Sequence, residues 1–226
     1  MKKLIIILLF AFFSSISIAH MAHYNNYNKI EMEIFRNGKS IGYSNYFFTR
    51  KGDETIIKNQ TKFSVKILGL TIFKVEGYAE EKYINDQLIS YNSETLQNDI
   101  KKYVNINFVK DENKFQIKGS SYNGEASVQN IIGNWWNHKI LQTNTQISPI
   151  SGSIKEQVVT FIGKEKINQY GKIYTVDHFT LKSKDMTLPK DKRLDFNIWY
   201  DEKNSKIIKI SYSRMGNWEY RLKNLE

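Results

Sequence analysis

Asp195-Phe196-Asn197-Ile198-Trp199-Tyr200-Asp201, a polar break at Glu202-Lys203-Asn204-Ser205, and Lys206-Ile207-Ile208-Lys209-Ile210-Ser211-Tyr212-Ser213 decide how this chain folds. A second break at Met215-Gly216-Asn217 leads into Trp218-Glu219-Tyr220-Arg221-Leu222. Apolar residues recur at every second position: Phe196/Ile198/Tyr200, Ile208/Ile210/Tyr212, Trp218/Tyr220/Leu222. Successive side chains of a strand point to opposite faces, so this period spells a three-stranded antiparallel meander with one buried face.

The same grammar runs upstream. Lys29 to Arg36 sets Ile30, Met32 and Ile34 on one face, and Asn37-Gly38 is a strong two-residue hairpin signal because both positions require positive φ. Lys39 to Thr49 returns as the partner, with Gly42 marking a bulge. Thr55 to Val65 and Leu70 to Ile84 pair around Leu68-Gly69. The run from Phe63 to Phe73 is the most apolar of the chain after its first residues, and it reads as a core hairpin in preference to a rim that dips into lipid. Further strands follow from Gln87 to Gly119. Between Ala126 and Leu141 the period changes: Val128, Ile131, Ile132, Trp135 and Trp136 lie three and four apart, which predicts a short amphipathic helix near residues 128–137. Thr143–Gly152 and Asp185–Arg193 lack periodicity and are expected to be loops. The predicted fold class is all-β and mainly antiparallel. It is a strongly curved sheet or incomplete barrel of hairpins, with the helix plugging its concave side.

Composition bounds the compartment. Met1-Lys2-Lys3, the apolar run Leu4 to Phe13 and the small residues Ser17 and Ala19 form the pattern of an export signal cleaved after Ala19. The run is shorter than the ~20 residues of a membrane span. Residues 1–19 are therefore assigned as a cleaved signal peptide, 20–28 as a flexible mature N-terminus and 29–226 as a single β domain. The expected location is the periplasm, soluble and without stable membrane insertion after cleavage. Cysteine is absent, which excludes disulfides, thiolate metal sites, a cysteine nucleophile and a lipid-anchoring cysteine. The formal charge of +10 is spread along the strands rather than gathered in a stripe, so nucleic acid is not an expected partner.

Catalytic signals are sparse. No serine-nucleophile elbow, zinc-protease helix or phosphate-binding glycine loop occurs. Asp177 and His178 are neighbours on a strand and point to opposite faces. His20, bared by cleavage after Ala19, would pair its amine and imidazole as a Cu(II) chelate with His23, but Tyr24-Asn25-Asn26-Tyr27-Asn28 reads as frayed. Glu80-Glu81, Glu94 and Asp99 offer carboxylates, with solvated strand faces as their default position. No catalytic residue, metal site or cofactor is assigned. Candidate ligand contacts are Trp135, Trp136, Tyr122 and Trp199. Adjacent tryptophans on a helix would diverge by about 100°, one entering the core and the other lining a groove.

The chain also resembles an uncharacterised family of exported proteobacterial β-proteins, classed only as a domain of unknown function. The resemblance rests on Phe35-Arg36-Asn37-Gly38-Lys39-Ser40-Ile41-Gly42, the Phe63-to-Tyr78 region with Glu80-Glu81, Asn134-Trp135-Trp136-Asn137 with the following loop to Ser151-Gly152, Asn197-Ile198-Trp199-Tyr200-Asp201, and Trp218-Glu219-Tyr220-Arg221-Leu222. A similar ending marks periplasmic curved-sheet proteins that resemble the lipoprotein-carrier half-barrels. The resemblance implies location and fold and brings no catalytic residues. The functional expectation is a non-catalytic carrier or binding protein for an apolar or amphiphilic cell-envelope molecule. The alternatives are an envelope assembly partner that binds another protein and, more remotely, a hydrolase or copper enzyme.

Overall fold

The computed structural model describes residues 23–226. The signal-peptide assignment, its cleavage after Ala19 and the proposed His20 ligand all lie outside the described residues. Fifteen strands follow one another: β1 (Lys29–Arg36), β2 (Lys39–Lys51), β3 (Glu54–Ile67), β4 (Leu70–Ile84), β5 (Gln87–Gln97), β6 (Ile100–Val109), β7 (Lys114–Gly119), β8 (Asn123–Ser127), β9 (Ile131–Ile132), β10 (Thr145–Ile147), β11 (Ile154–Gln169), β12 (Lys172–Ser183), β13 (Asp195–Asp201), β14 (Lys206–Ser213) and β15 (Asn217–Leu225). They make one sheet in the order β8-β7-β6-β5-β4-β3-β2-β1-β15-β14-β13-β12-β11-β10-β9. First and last strands are thus neighbours, and each half of the chain forms a meander running outward from that seam. All pairings are antiparallel except β9 with β10.

The two outermost strands, β8 and β9, are consecutive, with residues 128–130 carrying the chain from one edge to the other. The edges therefore lie close, yet no ladder joins them. The result is the curved, incomplete barrel expected from the hairpin pattern. The Ser121 amide donates to the Ser151 carbonyl at 3.0 Å, tying the β7–β8 side to the β10–β11 turn. No helix of the described residues is long and apolar enough to cross a membrane.

Alternation places the core as expected. Ile30, Met32 and Ile34 of β1 are buried, as are Ile198, Ile210 and Leu222 of the final meander. Five two-residue turns hold both residues at positive φ: Asn37-Gly38, Leu68-Gly69, Asn85-Asp86, Asn98-Asp99 and Tyr170-Gly171. Asparagine, aspartate and glycine suit this geometry because they tolerate the left-handed region. Leu68 and Tyr170 do not share that preference.

Three expectations are corrected. The helix near residues 128–137 does not form. Ile131–Ile132 is instead a short strand, a bend carries Trp135 and Trp136, and a single 3-10 turn spans His138–Leu141. Asn130, Gly133, Asn134 and Asn137 are poor helix residues, and their side chains or backbone bind elsewhere. Asn137 accepts from the Lys139 amide at 3.0 Å, and a Cβ on Gly133 would fall onto the side-chain oxygen of Gln146. The segment still plugs the sheet, burying Ile132, Trp136, Ile140 and Ile147. The 20–28 stretch, expected to be flexible, contains Tyr24, which is fully buried in the part that is described. Burial of its ring under Phe48 and Trp136 outweighs the local asparagine-rich composition. In the Phe63–Phe73 hairpin, Phe63 and Val65 enter the core, but Ile67, Leu68, Leu70 and Ile72 are exposed, Leu68 at 97%.

Gly42 confirms its assigned bulge: Ile34 pairs with Gly42 and Phe35 with Ser40, leaving Ile41 as the extra residue. A Cβ at Gly42 would meet the Phe63 Cα at 2.5 Å and fall onto the Lys62 carbonyl. Backbone atoms cannot swing aside as a side chain can. Gly42→Ala is therefore expected to destabilise the protein by about 1–3 kcal/mol, read as a lower urea midpoint. An unchanged midpoint would show that β2 and β3 separate freely at the bulge.

Candidate ligand-binding cavity

The plug fills only part of the concave face. Between it and β2–β5 on one side and β13–β15 on the other lies an open cavity of ≈ 1250 Å³. Its apolar wall includes Phe63, Val65, Val75 and Trp218, four members of a second hydrophobic cluster separate from the main core, and Phe73, which packs against that cluster. Trp135 supplies the plug side, packed edge-on to Phe196 with ring centroids 5.0 Å apart. Ser44, Asn59 and Thr61 form a polar strip on the cavity floor, linked by hydrogen bonds of 2.7–3.1 Å. Lys190, Lys192, Arg193 and Arg214 stand on the loop and turn that border the cavity.

Alternation explains why the wall is apolar. On β4 the odd residues Phe73, Val75, Gly77, Ala79, Glu81 and Tyr83 turn inward, while Lys74, Glu76 and Glu80 pair with lysines or glutamates outside. Glu81 is the exception in chemistry. It is only 1% exposed and lies on the inward face. Its carboxylate accepts from Asn134 Nδ2 at 2.5 Å, Trp136 Nε1 at 2.8 Å and Tyr83 OH at 2.8 Å. Asn134 also lines the cavity, so Glu81 holds the plug's bend at the cavity's inner end. Burial pushes the Glu81 carboxyl up to about 7, against the lowering pull of its three donors. Sequence reading placed Glu80-Glu81 by default in solvent. Glu80 is there, paired with Lys58 at 3.5 Å. The available signal for Glu81 was its parity: it shares the face of Val75 and Tyr83.

A second buried pair anchors the plug's far end. Tyr24 OH and His138 Nδ1 are 2.7 Å apart, and the His138 amide donates to the same hydroxyl at 3.1 Å. Burial first, then the nearby His23, lowers the His138 imidazole to about 4.

Of the four tryptophan and tyrosine candidates, the structure brings only Trp135 to the cavity wall. Trp136 is sealed at 1% exposure against Tyr24, Phe48 and Tyr83. Tyr122 donates to the Glu125 carbonyl at 2.8 Å beside the sheet edge. Trp199 lies on the opposite face of β13 from Phe196 and Ile198. There it stacks on His178 at 4.6 Å beneath Lys209. Asp177 and His178 do diverge: Asp177 pairs with Lys164 at 3.2 Å and His178 with Glu165 at 3.2 Å. Among the described residues no three His, Asp or Glu side chains gather in a way that would hold a metal ion.

The Glu81 arrangement has a pH signature. Its folded value lies above its ordinary 4.5, so the native state holds a proton there that the unfolded chain has released. Its contribution to stability is complete below about 4.5 and is lost as pH rises through 7. Glu81→Gln, an isostere of the protonated acid, should match wild type near pH 4.5. At pH 7.5 and above it should become the more stable by up to about 3 kcal/mol. Urea unfolding of both proteins across this range checks it. A gap that does not change with pH would show that Glu81 stays ionised in the fold.

Residues 32–223 match the family described as Domain of unknown function (DUF6134). No curated protein matches the chain. A solved structure, the crystal structure of a beta-barrel-like protein of domain of unknown function DUF1849 from Brucella abortus, superposes with a TM-score of 0.57. It covers 88% of this chain and 95% of its own at 10% identity, a likeness of fold alone. With the family match extending from β1 into β15, the chain belongs to the DUF6134 family.

Proposed function

We propose that this protein is a soluble, non-catalytic periplasmic carrier that holds an amphiphilic cell-envelope molecule in the cavity beside Trp135. One observation carries the reading: an open cavity of ≈ 1250 Å³ with an apolar wall, a short polar strip and a basic border. Pockets for drug-sized ligands span about 300–1,000 Å³ and are mostly apolar with a few placed polar groups. A larger cavity of the same character suits a longer molecule, with its apolar body against Phe73, Trp135 and Phe196 and an anionic head toward Lys190 and Arg193. Phe63, Val65, Val75 and Trp218 are themselves buried and back the wall, while Phe73, Trp135 and Phe196 are half-buried and offer the apolar surface that an apolar body would cover. The N-terminal pattern from Met1 to Ala19 supports export.

Native mass spectrometry of the processed protein, purified from an exporting host without detergent, tests this. A discrete extra mass released by organic extraction is expected. Ala79→Trp, which projects an indole from the wall into the cavity, should abolish it. Trp135→Ala should weaken retention by about tenfold, equivalent to about 1.4 kcal/mol. Trp199→Ala, on the outer face, should leave it unchanged. A bare wild-type mass that persists after incubation with envelope phospholipids would overturn the carrier reading.

A further inference from the structure

The turns of this sheet sort into two ends. Because neighbouring strands alternate in direction, the turns after β1, β3, β5, β7, β10, β12 and β14 share one end. The turns after β2, β4, β6, β11 and β13 share the other. That second end carries Lys51-Gly52-Asp53, Asn85-Asp86, Asp111-Glu112-Asn113 and Glu202-Lys203-Asn204, and its exposed apolar side chains are Ile173 and Tyr170, whose hydroxyl donates to Glu33 at 2.7 Å. The first end is different. Ile67, Leu68, Leu70 and Ile72 stand out at 48%, 97%, 72% and 46% exposure, with Met186 at 53% and Met215 at 86%. Ile72, Met186 and Met215 also line the cavity, so this apolar rim borders its mouth through those three side chains.

Leu68 is the most informative residue of the rim. It occupies the first position of a two-residue turn at φ 49, where the chain uses asparagine at 37, 85 and 98 and a tyrosine, tied by its hydroxyl to Glu33, at 170. A leucine in the left-handed region carries steric strain that asparagine relieves by local hydrogen bonding. Complete exposure of an apolar side chain adds no folding stability to offset that strain. Neither the turn nor the core calls for leucine here.

Charge selects the environment. Lys190 and Lys192, beside Met186 at the same mouth, are exposed and form no ion pair among the described residues, and with Arg193 and Arg214 they outnumber the acidic Asp191 and Asp195 of the same border. Arg193 is held nearby through its bond to the Leu188 carbonyl. Apolar tips that project beyond a cationic border match an interface in which acyl chains lie beneath anionic headgroups. We infer that the end bearing the β3–β4 tip, Met186 and Met215 docks reversibly on an anionic phospholipid bilayer, with the cavity mouth facing the membrane. This goes beyond the carrier reading, since docking needs no occupant in the cavity.

Vesicle flotation tests the inference, using phosphatidylethanolamine–phosphatidylglycerol vesicles against phosphatidylcholine vesicles. Wild type should float with the anionic vesicles and lose most of that binding in about 0.5 M salt, where the Debye length is only a few ångström. Leu68→Asp with Leu70→Asp should reduce binding by about tenfold or more, the loss expected when two leucines no longer enter an apolar phase. Lys190→Glu with Lys192→Glu should remove the preference for anionic vesicles. Leu68→Asn supplies an independent readout: its melting temperature should rise as the turn relaxes while its vesicle binding falls. Absence of flotation with either vesicle would overturn the inference, as would flotation unaffected by the Leu68 and Leu70 substitutions. So would a concentration-dependent dimer abolished by those substitutions, which would assign the rim to a second copy of this chain. Native mass spectra of the Leu68→Asp, Leu70→Asp variant separate the two readings. An occupant retained without flotation leaves the cavity reading intact, and a bare wild-type protein that still floats overturns the cavity reading alone.

Discussion

A sheet curled until its edges lie three residues apart has a concave face that must be filled, and most of this molecule follows from how it is filled. Fifteen strands in one layer turn one parity of side chains inward, and these alone do not close the interior. The chain solves this by passing from edge strand β8 to edge strand β9 and threading 131–153 through the concavity. That detour brings Trp136 against β2 and β4, Trp135 against β13, and Pro149 within reach of Tyr91 and Ser93 on β5. Filling stops short of the end where β3–β4 and β12–β13 turn. The cavity is what the plug leaves open.

The plug is held by polar groups whose preferred protonation states are set by burial. Glu81 is raised and His138 is lowered, so both favour their uncharged forms near the core. Their effects on stability run in opposite directions. The Glu81 contribution declines as pH rises from about 4.5 to 7, whereas the His138 contribution declines as pH falls from 6.5 to about 4. The two windows overlap, and within them the slopes oppose each other.

Much of this was legible from period and turn chemistry. Alternation in β1 and β13–β15 names the inward residues, and Asn37-Gly38 names a hairpin, because strand geometry is a local property with a period of two. The plug was not legible as structure. Val128, Ile131, Ile132, Trp135 and Trp136 have helical spacing, but their burial is distributed among strands far away in sequence, and Glu81 fixes the bend from another element. Glu81 itself was readable in principle from parity. The doublet with Glu80 hid it, since one member of any adjacent strand pair faces solvent. Trp199 misled for the complementary reason: its residue type suggests an interior, while its parity places it outside, where His178 and Lys209 cover it. Leu68 lay in a run whose total hydrophobicity argued for a core. Only the turn position separates it from Phe63 and Val65.

The β1–β15 seam has a consequence for how the chain acquires this shape. Each meander is built from neighbours in sequence, so its hairpins form without waiting for distant segments. Their union does wait: Arg36 meets Trp218 and Ile30 meets Leu225, across nearly the whole chain. Until β15 pairs with it, β1 presents an open strand edge, and unpaired edges recruit other strands. Lys29, Glu31, Glu33 and Arg36 interleave charge along that edge, opposing wrong partners in the interval. The seam is thus the contact of longest sequence separation in the sheet, joining two wings whose own pairings are local.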